Sequence, residues 1–298
     1  MRQWLLLLLL IFCWMAAGFA FFDGAETRES AGAALPKDVQ RIVSLAPNLT
    51  EILFALGLDE QIAGVTIFSD YPPAAMKKRK IGSFWQPNIE AVIAAKPDLV
   101  VTLEFPQQKE AARRLRRLGC NCLTVNIEKV GDLFEAIDRI AEATGKDAEA
   151  AELASNLRSR LDVLSASAAK YERAKVLWVI AREPLRVAGR DTFVNELIEL
   201  AGGENAIGRT VHKYPPIGSE QVIASAPDVI IEPAMGSKTV SEQQKEALRY
   251  WSRFKNVPAV ANGRIYVISP DTVCRLGPRL HQGVETVARC LRPQLFAD

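Results

Sequence analysis

The sequence predicts an α/β protein: two doubly wound lobes with parallel sheets, joined by one long backbone helix. Three observations predict it. Residues 147–172 carry Leu153, Leu157, Leu161, Leu164, Ala168 and Tyr171 at steps of three and four, with Glu152, Arg158, Arg160 and Asp162 between them. That is an amphipathic helix pattern free of proline and glycine. The chain before this run echoes the chain after it. On both sides, short apolar runs alternate with helix-length periodic ones, the pattern of parallel sheets with helical crossovers.

The echo is specific. With residues 88–101 laid on 218–231, Glu90, Val92, Ile93, Ala94, Pro97 and Asp98 fall on identical residues. QQKEA at 107–111 returns at 243–247, and residues 50–57 have a fainter counterpart at 195–202. Three matches in the same order favour a duplicated plan over chance likeness between two α/β segments.

The elements follow in order. Residues 41–48 read as a short buried strand and a turn, 49–56 as a helix closed by Gly57, and 62–67 as the next strand. Residues 69–73 and 81–87 are loops in which aromatics sit among turn formers. Helix 89–95, strand 99–102, helix 107–118, strand 121–125 and helix 130–144 complete the first half. After the long helix come strand 176–181, helices 192–201 and 219–224, strand 229–231, helix 241–251, strand 264–268 and a closing helix at 278–290. The expected divisions are a signal peptide at 1–20, a flexible leader at 21–40, an N-terminal lobe at 41–146, the connecting helix at 147–173 and a C-terminal lobe at 174–293.

The signal segment rests on Arg2, the apolar run 4–22 and the small residues Ala16, Ala17, Gly18 and Ala20 before the expected cleavage. An uncleaved anchor is the alternative reading of the same run. Cys13 is a poor lipoprotein site because Phe12 precedes it. Either way the folded part is expected outside the cytoplasm, in the periplasm. A net charge of +2 over 298 residues, without basic runs, excludes an electrostatic case for nucleic acid. Cys120, Cys122, Cys274 and Cys290 permit disulfides in an oxidising compartment, but 120 and 122 share one strand face and are poorly placed to pair, so buried free thiols are expected. With only His212 and His281 and no ligand spacing, no metal site is expected.

In doubly wound sheets ligands bind beyond the carboxyl ends of the strands. Residues there include Phe68, Ser69, Asp70, Leu103, Glu104, Phe105, Arg182, Glu183, Glu232 and Asp271, with Trp85 and Tyr214 in long loops. An aromatic lining with few charges suits a large, flat, partly apolar ligand. For Trp85 and Tyr214 the competing reading is loop packing, for Phe68 the last core position of its strand, and for Asp271 and Arg275 an ordinary ion pair four residues apart. Glu90 and Glu220 open their helices, where the helix dipole alone favours a carboxylate by about 0.3–1 kcal/mol. The dipole does not explain why both hold the same repeat position. No nucleophile has a base and orienter, and no phosphate-binding glycine loop is present, so no enzyme and no catalytic residue is expected.

The stretches RIVSLAPNLTE (41–51), SDYPP (69–73), NIE (88–90), KPD (96–98), GGEN (202–205) and EQV (220–222), with Trp85, Asp271, Arg275 and Arg279, carry a resemblance. Over about residues 41–291 the chain resembles the periplasmic vitamin B12-binding proteins of ABC importers, within the wider helical-backbone family of iron–siderophore, haem and B12 receptors. The resemblance implies a class III periplasmic binding protein fold and a monomer, with cobalamin as transported ligand rather than cofactor. It implies that Phe68, Trp85, Tyr214, Asp271 and Arg275 hold a corrinoid between the lobes, and that Glu90 and Glu220 dock on an inner-membrane ABC permease dimer. Departures are Phe68 for a tyrosine, Tyr214 for a tryptophan, and Leu103 and Ile180 for aromatics. The family's disulfide to the last helix is absent, because Ala201 stands opposite Cys290. The alternatives are an iron–siderophore or haem receptor, in which Arg182, Arg186, Arg190 or His212 matters more, and a metal-chelate enzyme on a related fold.

Overall fold

Strands buried on both faces read as continuous apolar runs, and of the four strands in the first half all but the last, which is half-buried on alternate residues, are largely of that kind. β1 (Ile42–Ser44), β2 (Ile62–Val65), β3 (Leu99–Leu103) and β4 (Cys122–Val125) pair in parallel in the order β2-β1-β3-β4. The computed structural model describes residues 39–296, so the expected signal segment, Cys13 and nearly all of the leader lie outside the described residues. Helices α1 (Pro47–Ala55), α2 (Ile89–Ala94), α3 (Pro106–Arg117) and α4 (Val130–Thr144) make the crossovers. α1 and α3 each begin on a proline, whose fixed φ and missing N–H suit that position. β2 stops two residues earlier than its apolar run suggests. Val65 pairs with the passing segment at Lys80, and Ile67 N then donates to Gly82 O at 2.9 Å, so Ile67 and Phe68 leave the sheet.

α5 (Asp147–Ala168) spans 22 residues, about 33 Å at 1.5 Å per residue. It buries Ala150, Ala154, Leu157, Leu161 and Ala168, with Leu153 and Leu164 packed partly buried beside them. Tyr171 lies beyond its end and sets its ring 5.1 Å from the Arg292 guanidinium. One hydrophobic cluster runs from Leu49 and Leu99 through Leu157 and Leu161 to Val176, Ile231 and Val284, so the long helix shares a core with both sheets.

The second sheet centres on β5 (Ala174–Arg182), flanked in parallel by β8 (Val229–Pro233), which pairs β9 (Ile265–Ile268). Two strands lie outside the sequence reading. β7 (Gly203–Asn205) pairs in parallel with the start of β5, and β6 (Leu185–Val187) returns antiparallel along its end. Each has three residues, too few to show a period of its own, and each is held by β5. The sheet is therefore parallel except at β6. Helices α6 (Phe193–Leu200), α7 (Ser219–Ser225), α8 (Val240–Trp251), α9 (Pro258–Ala261), α10 (Pro270–Val273) and α11 (Leu280–Leu291) complete the half.

The sequence echo has a structural counterpart. Lys96 and Ala226, equivalent in the repeat, are both left-handed, with φ of 48° and 42°. Each is followed by Pro-Asp, and each Asp caps a neighbouring strand: Asp98 Oδ2 accepts from Arg41 N at 2.8 Å, Asp228 Oδ2 from Lys175 N at 2.8 Å. The left-handed residue turns the chain off a short helix so that the carboxylate meets that strand. A non-glycine residue there costs about 1–2 kcal/mol, part of which glycine would return to the unfolded chain as entropy. Ala226→Gly is therefore expected to raise stability by about 0.5 kcal/mol in urea unfolding. A lower unfolding midpoint would contradict the strain.

Candidate functional site

α1 buries a carboxylate. Glu51, 4% exposed, sits among Leu49, Thr50, Ile52 and Leu53, and a buried charge needs a partner. The partner comes from 228 residues away: Arg279 donates from Nε to Oε2 at 2.9 Å and from Nη2 to Oε1 at 2.6 Å. Arg279 also holds Asp271 at 2.5 and 3.0 Å and lies 3.8 Å over the Tyr71 ring. Arg275 reaches Asp271 at 3.2 Å, donates to both oxygens of Asp70, and approaches Phe68 O at 3.4 Å. Asn48 Nδ2 donates to Leu276 O at 3.1 Å beside them. Glu51, Asp70 and Tyr71 from the first half thus meet Asp271, Arg275 and Arg279 from the second. The local Asp271–Arg275 pair exists within a network that crosses between the halves.

The hydrogen bond from Arg275 holds the Asp70 carboxyl below its ordinary 3.8, and the one from Arg279 does the same for Asp271. Glu51 runs the other way, because burial raises its carboxyl against the pull of Arg279. Burial opposes the Arg279 charge too, but the Glu51 and Asp271 carboxylates outweigh it and raise the guanidinium further. The two-pronged Glu51–Arg279 contact is the geometry of a charged pair, and we take it as ionised. For Asp70 and Asp271, lowered in the folded state, the stabilisation is present above 3.8 and lost as pH falls through the folded values. Glu51 has the opposite sign: its contribution is present below 4.5 and lost as pH rises through its folded value. Asp70→Asn with Asp271→Asn is expected to flatten the loss of stability between about pH 5 and about pH 3. An unchanged acid limb in urea unfolding would remove the two carboxylates from the account.

On the first half, Trp85 is 56% exposed, with its ring centroid 4.9 Å from Phe84 and 5.3 Å from Phe105. Gln108 of α3 fixes this loop, donating from Nε2 to Leu45 O at 2.9 Å and Phe84 O at 3.2 Å, which ties the aromatics to the carboxyl end of β1. Phe68, 48% exposed, is no core residue. On the second half, a cavity of about 240 Å³ opens at the carboxyl ends of β5 and β8, lined by Trp178, Ile180, Phe193, Val194, Tyr214, Pro233, Met235, Val273 and Cys274. Burial raises the Tyr214 phenol, so it is protonated at neutral pH. A second cavity of about 310 Å³ shares Ile180, Pro233 and Met235 and runs to Arg182 and Glu232.

Of the sequence candidates, Asp271 and Arg275 meet in the network with the Phe68 carbonyl beside them, Tyr214 lines the cavity, and Trp85 belongs to the aromatic cluster. The sequence does not show that Glu51, Asp70, Tyr71 and Arg279 meet, although Asp70 stands at a strand end and the other three lie in the stretches that carry the resemblance. A glutamate inside an apolar helix face was the available signal. Glu90 and Glu220 are exposed in the first turns of α2 and α7, and the repeat-related Ile93 and Ile223 are exposed one turn on. Arg182 is bound by Glu232 at 2.9 and 2.6 Å, while Trp251 Nε1 donates to the other Glu232 oxygen at 2.6 Å. Arg190 pairs with Glu204 at 3.0 Å, and Arg186 and His212 are exposed. The four described cysteines are unpaired; Cys290 is buried, Cys120 and Cys122 only partly, and Cys274 is exposed, which corrects the expectation of buried thiols for three of them. Among the described residues no His, Cys, Asp and Glu side chains cluster to hold a metal ion, and no helix is long and apolar enough to cross a membrane.

Comparison with known proteins agrees with this architecture. The periplasmic binding protein family model matches residues 42–272. The chain is 32% identical over 271 residues to the uncharacterized ABC transporter substrate-binding lipoprotein YvrC of Bacillus subtilis, covering 89% of this chain and 83% of that one. It is 26% identical over 242 residues to the vitamin B12-binding protein of Vibrio parahaemolyticus, covering 81% and 85%. Among solved structures, one from Staphylococcus epidermidis, described as a possible iron-binding (periplasmic solute-binding) protein, superposes with a TM-score of 0.75 at 28% identity, covering 86% of this chain and 99% of that one. The chain belongs to the periplasmic binding protein family.

Proposed function

We propose that the chain is the extracytoplasmic solute-binding component of an ABC importer, and that it carries a corrinoid between its two halves. The observation that carries this reading is the pairing of an exposed aromatic cluster on the first half with an apolar cavity on the second, both at strand carboxyl ends and with an ion network crossing between the halves. A flat chelate with an apolar face and a polar rim matches such walls. The relatives named as a substrate-binding lipoprotein and as a vitamin B12-binding protein support it. An iron chelate is the second reading, favoured by the Staphylococcus neighbour and by Leu103 and Ile180, which are not aromatic. Against it, Arg182 and Arg190, two of the four side chains such a chelate would use, are already held by Glu232 and Glu204, while Arg186 and His212 are exposed. No enzymatic step is needed. The import partner is a permease dimer that receives Glu90 and Glu220 as charge-assisted hydrogen bonds, one from each half.

Two variants separate capture from delivery. Trp85→Ala is expected to weaken cobalamin binding by about 1–3 kcal/mol with the unfolding midpoint unchanged, because an exposed loop aromatic contributes contact area rather than core. Glu90→Ala combined with Glu220→Ala is expected to leave cobalamin binding intact and abolish most uptake. Full affinity in Trp85→Ala with a lowered midpoint returns that residue to loop packing, and normal uptake in the double variant removes the docking role.

A further inference from the structure

A second strip of polar contacts joins the halves, on the edge opposite the Glu51–Arg279 network. Asp70 follows β2, one edge of the first sheet, whereas Glu128 and Lys129 follow β4, the other edge, and Phe105 follows β3 between them. In the second half Arg275 and Arg279 follow the edge strand β9. Asp191 follows β6 at the opposite edge, and Lys213 runs beside it. Lys213 Nζ meets Glu128 Oε2 at 2.7 Å, and Lys129 Nζ meets Asp191 Oδ1 at 2.8 Å. Lys129 and, behind it, Lys213 hold the Asp191 carboxyl below its ordinary 3.8, so the four charges act as one cluster of alternating sign. Beside them Val130, the first residue of α4, has an N–H that finds no acceptor in its own helix. It donates instead to Glu196 Oε2 of the second half at 2.7 Å.

Both halves present these groups from fixed loops. Asp132 Oδ2 accepts from Glu128 N at 3.0 Å and from Lys129 N at 2.9 Å. Opposite, Gly189 N donates to Lys213 O at 2.8 Å, and a β-carbon on Gly189 would stand 2.6 Å from Thr210 Oγ1, so glycine lets the two segments meet. The same segments line the 240 Å³ cavity: Phe193 and Val194 lie between Asp191 and Glu196, and Tyr214 follows Lys213. The two ties differ in how readily they part. The Glu51 side chain is 3% exposed, whereas exposure in the second strip runs from 31% at Lys129 to 73% at Asp191. Solvated pairs are weak and screened by salt, and a buried pair is far less so.

We propose that Glu128, Lys129, Asp191 and Lys213 form a salt-sensitive latch. Closed, it positions Phe193 and Tyr214 against the first half; it is the edge at which the halves part to admit cargo, while the buried network on the other edge stays joined. Lys213 and Asp191 are then positioning residues for the cavity wall. The latch rests on the reading of a cargo held between the halves only for what it admits.

The Val130 amide reports the latch without any cargo, and the Lys129 amide, held by Asp132 within the first half, is its control. Hydrogen exchange of both is followed by NMR in the purified protein. Raising NaCl from about 0.1 M to about 1 M shortens the screening length from about 10 Å to about 3 Å. That change should lower Val130 protection about fivefold and leave Lys129 protection unchanged. At about 0.1 M NaCl, Glu128→Gln and Lys213→Gln should each lower Val130 protection about threefold with the wild-type unfolding midpoint. The double variant should lose no more than either single one, because both remove the same contact. Cobalamin is the cargo probe. It should leave Lys213→Gln about threefold faster than wild type at about 0.1 M NaCl, and the difference should vanish at about 1 M, which a merely structural residue would not show. A Val130 amide that ignores salt and substitution, or that changes in step with Lys129, overturns the latch, and cobalamin binding in the same samples then leaves the corrinoid reading standing. Equal cobalamin dissociation from wild type and Lys213→Gln at the lower salt overturns it too. If the amide pattern holds while no cobalamin binds, the latch stands and the corrinoid reading falls.

Discussion

Arg279→Met is expected to destabilise the protein by about 3–5 kcal/mol, the usual cost of breaking a buried ion pair from one side. Among the described residues Arg279 alone is hydrogen-bonded to both Glu51 and Asp271, and the Glu51 side chain is 3% exposed. Without it the Glu51 carboxylate remains inside an apolar helix face with Arg275 no closer than 3.9 Å. Either the charge stays unpaired or the group takes up a proton, and both routes cost stability. Removing both partners is different. Glu51→Leu with Arg279→Met should recover most of the loss, because well-packed apolar residues replace a buried pair at little cost. The pair would then be a device that sets how the halves meet rather than a source of net stability. Urea unfolding of the two single variants and the double variant checks this. A loss below about 1 kcal/mol in Arg279→Met would mean that the network is a solvated surface cluster.

Arg292→Met is the second large effect, expected at about 3 kcal/mol. Arg292 is 5% exposed, and its hydrogen bonds run to carbonyls alone: Ala201 O at 3.1 Å, Gly202 O at 3.0 Å and Glu172 O at 3.1 Å. Two of these lie at the carboxyl end of α6, where the helix dipole is negative, and the third follows the long helix α5. Burial lowers the Arg292 pKa from its ordinary value, yet the carbonyls hold the guanidinium in place. Methionine would fill much of the volume and leave two buried acceptors unmet, with a third that is partly buried. Position 201 is where the sequence resemblance implies a missing disulfide partner of Cys290, and here its backbone carbonyl takes up Arg292 instead. The tie from the end of α11 to the end of α6 is therefore a set of charge-assisted hydrogen bonds to carbonyls in place of a covalent bond. Arg292→Lys should lose nearly as much, since one ammonium cannot reach three carbonyls with a planar fork. An unfolding midpoint within about 0.5 kcal/mol of wild type for either variant would contradict this role.

The parts of the fold legible in the sequence are those with local cause. α4 was read at its full extent, 130–144, because amphipathic spacing and Gly145 mark it. The repeat was readable from identities at Pro97 and Pro227, and its strained residues, Lys96 and Ala226, follow from the same alignment. What escaped has a distant cause. β6 and β7 exist through their pairing to β5, and α9 and α10 are single turns opened by Pro258 and Pro270. The site divides in the same way. Strand-end logic picks out Phe68, Asp70 and Asp271, with Trp85 and Tyr214 in loops beside them, and the resemblance adds Arg275, but the grouping of Arg275 with Asp70 spans 205 residues and that of Arg279 with Glu51 spans 228. No periodicity reports such a contact.

The most direct test of the central claim is the bound cargo itself. The protein is purified from cells supplied with cobalamin, haem and ferric siderophores, and the absorption spectrum, metal content and mass of the retained molecule are read. The account predicts corrin absorption with about one cobalt per chain. A Soret band, an iron chelate, or protein that retains nothing and binds no added corrinoid would contradict it.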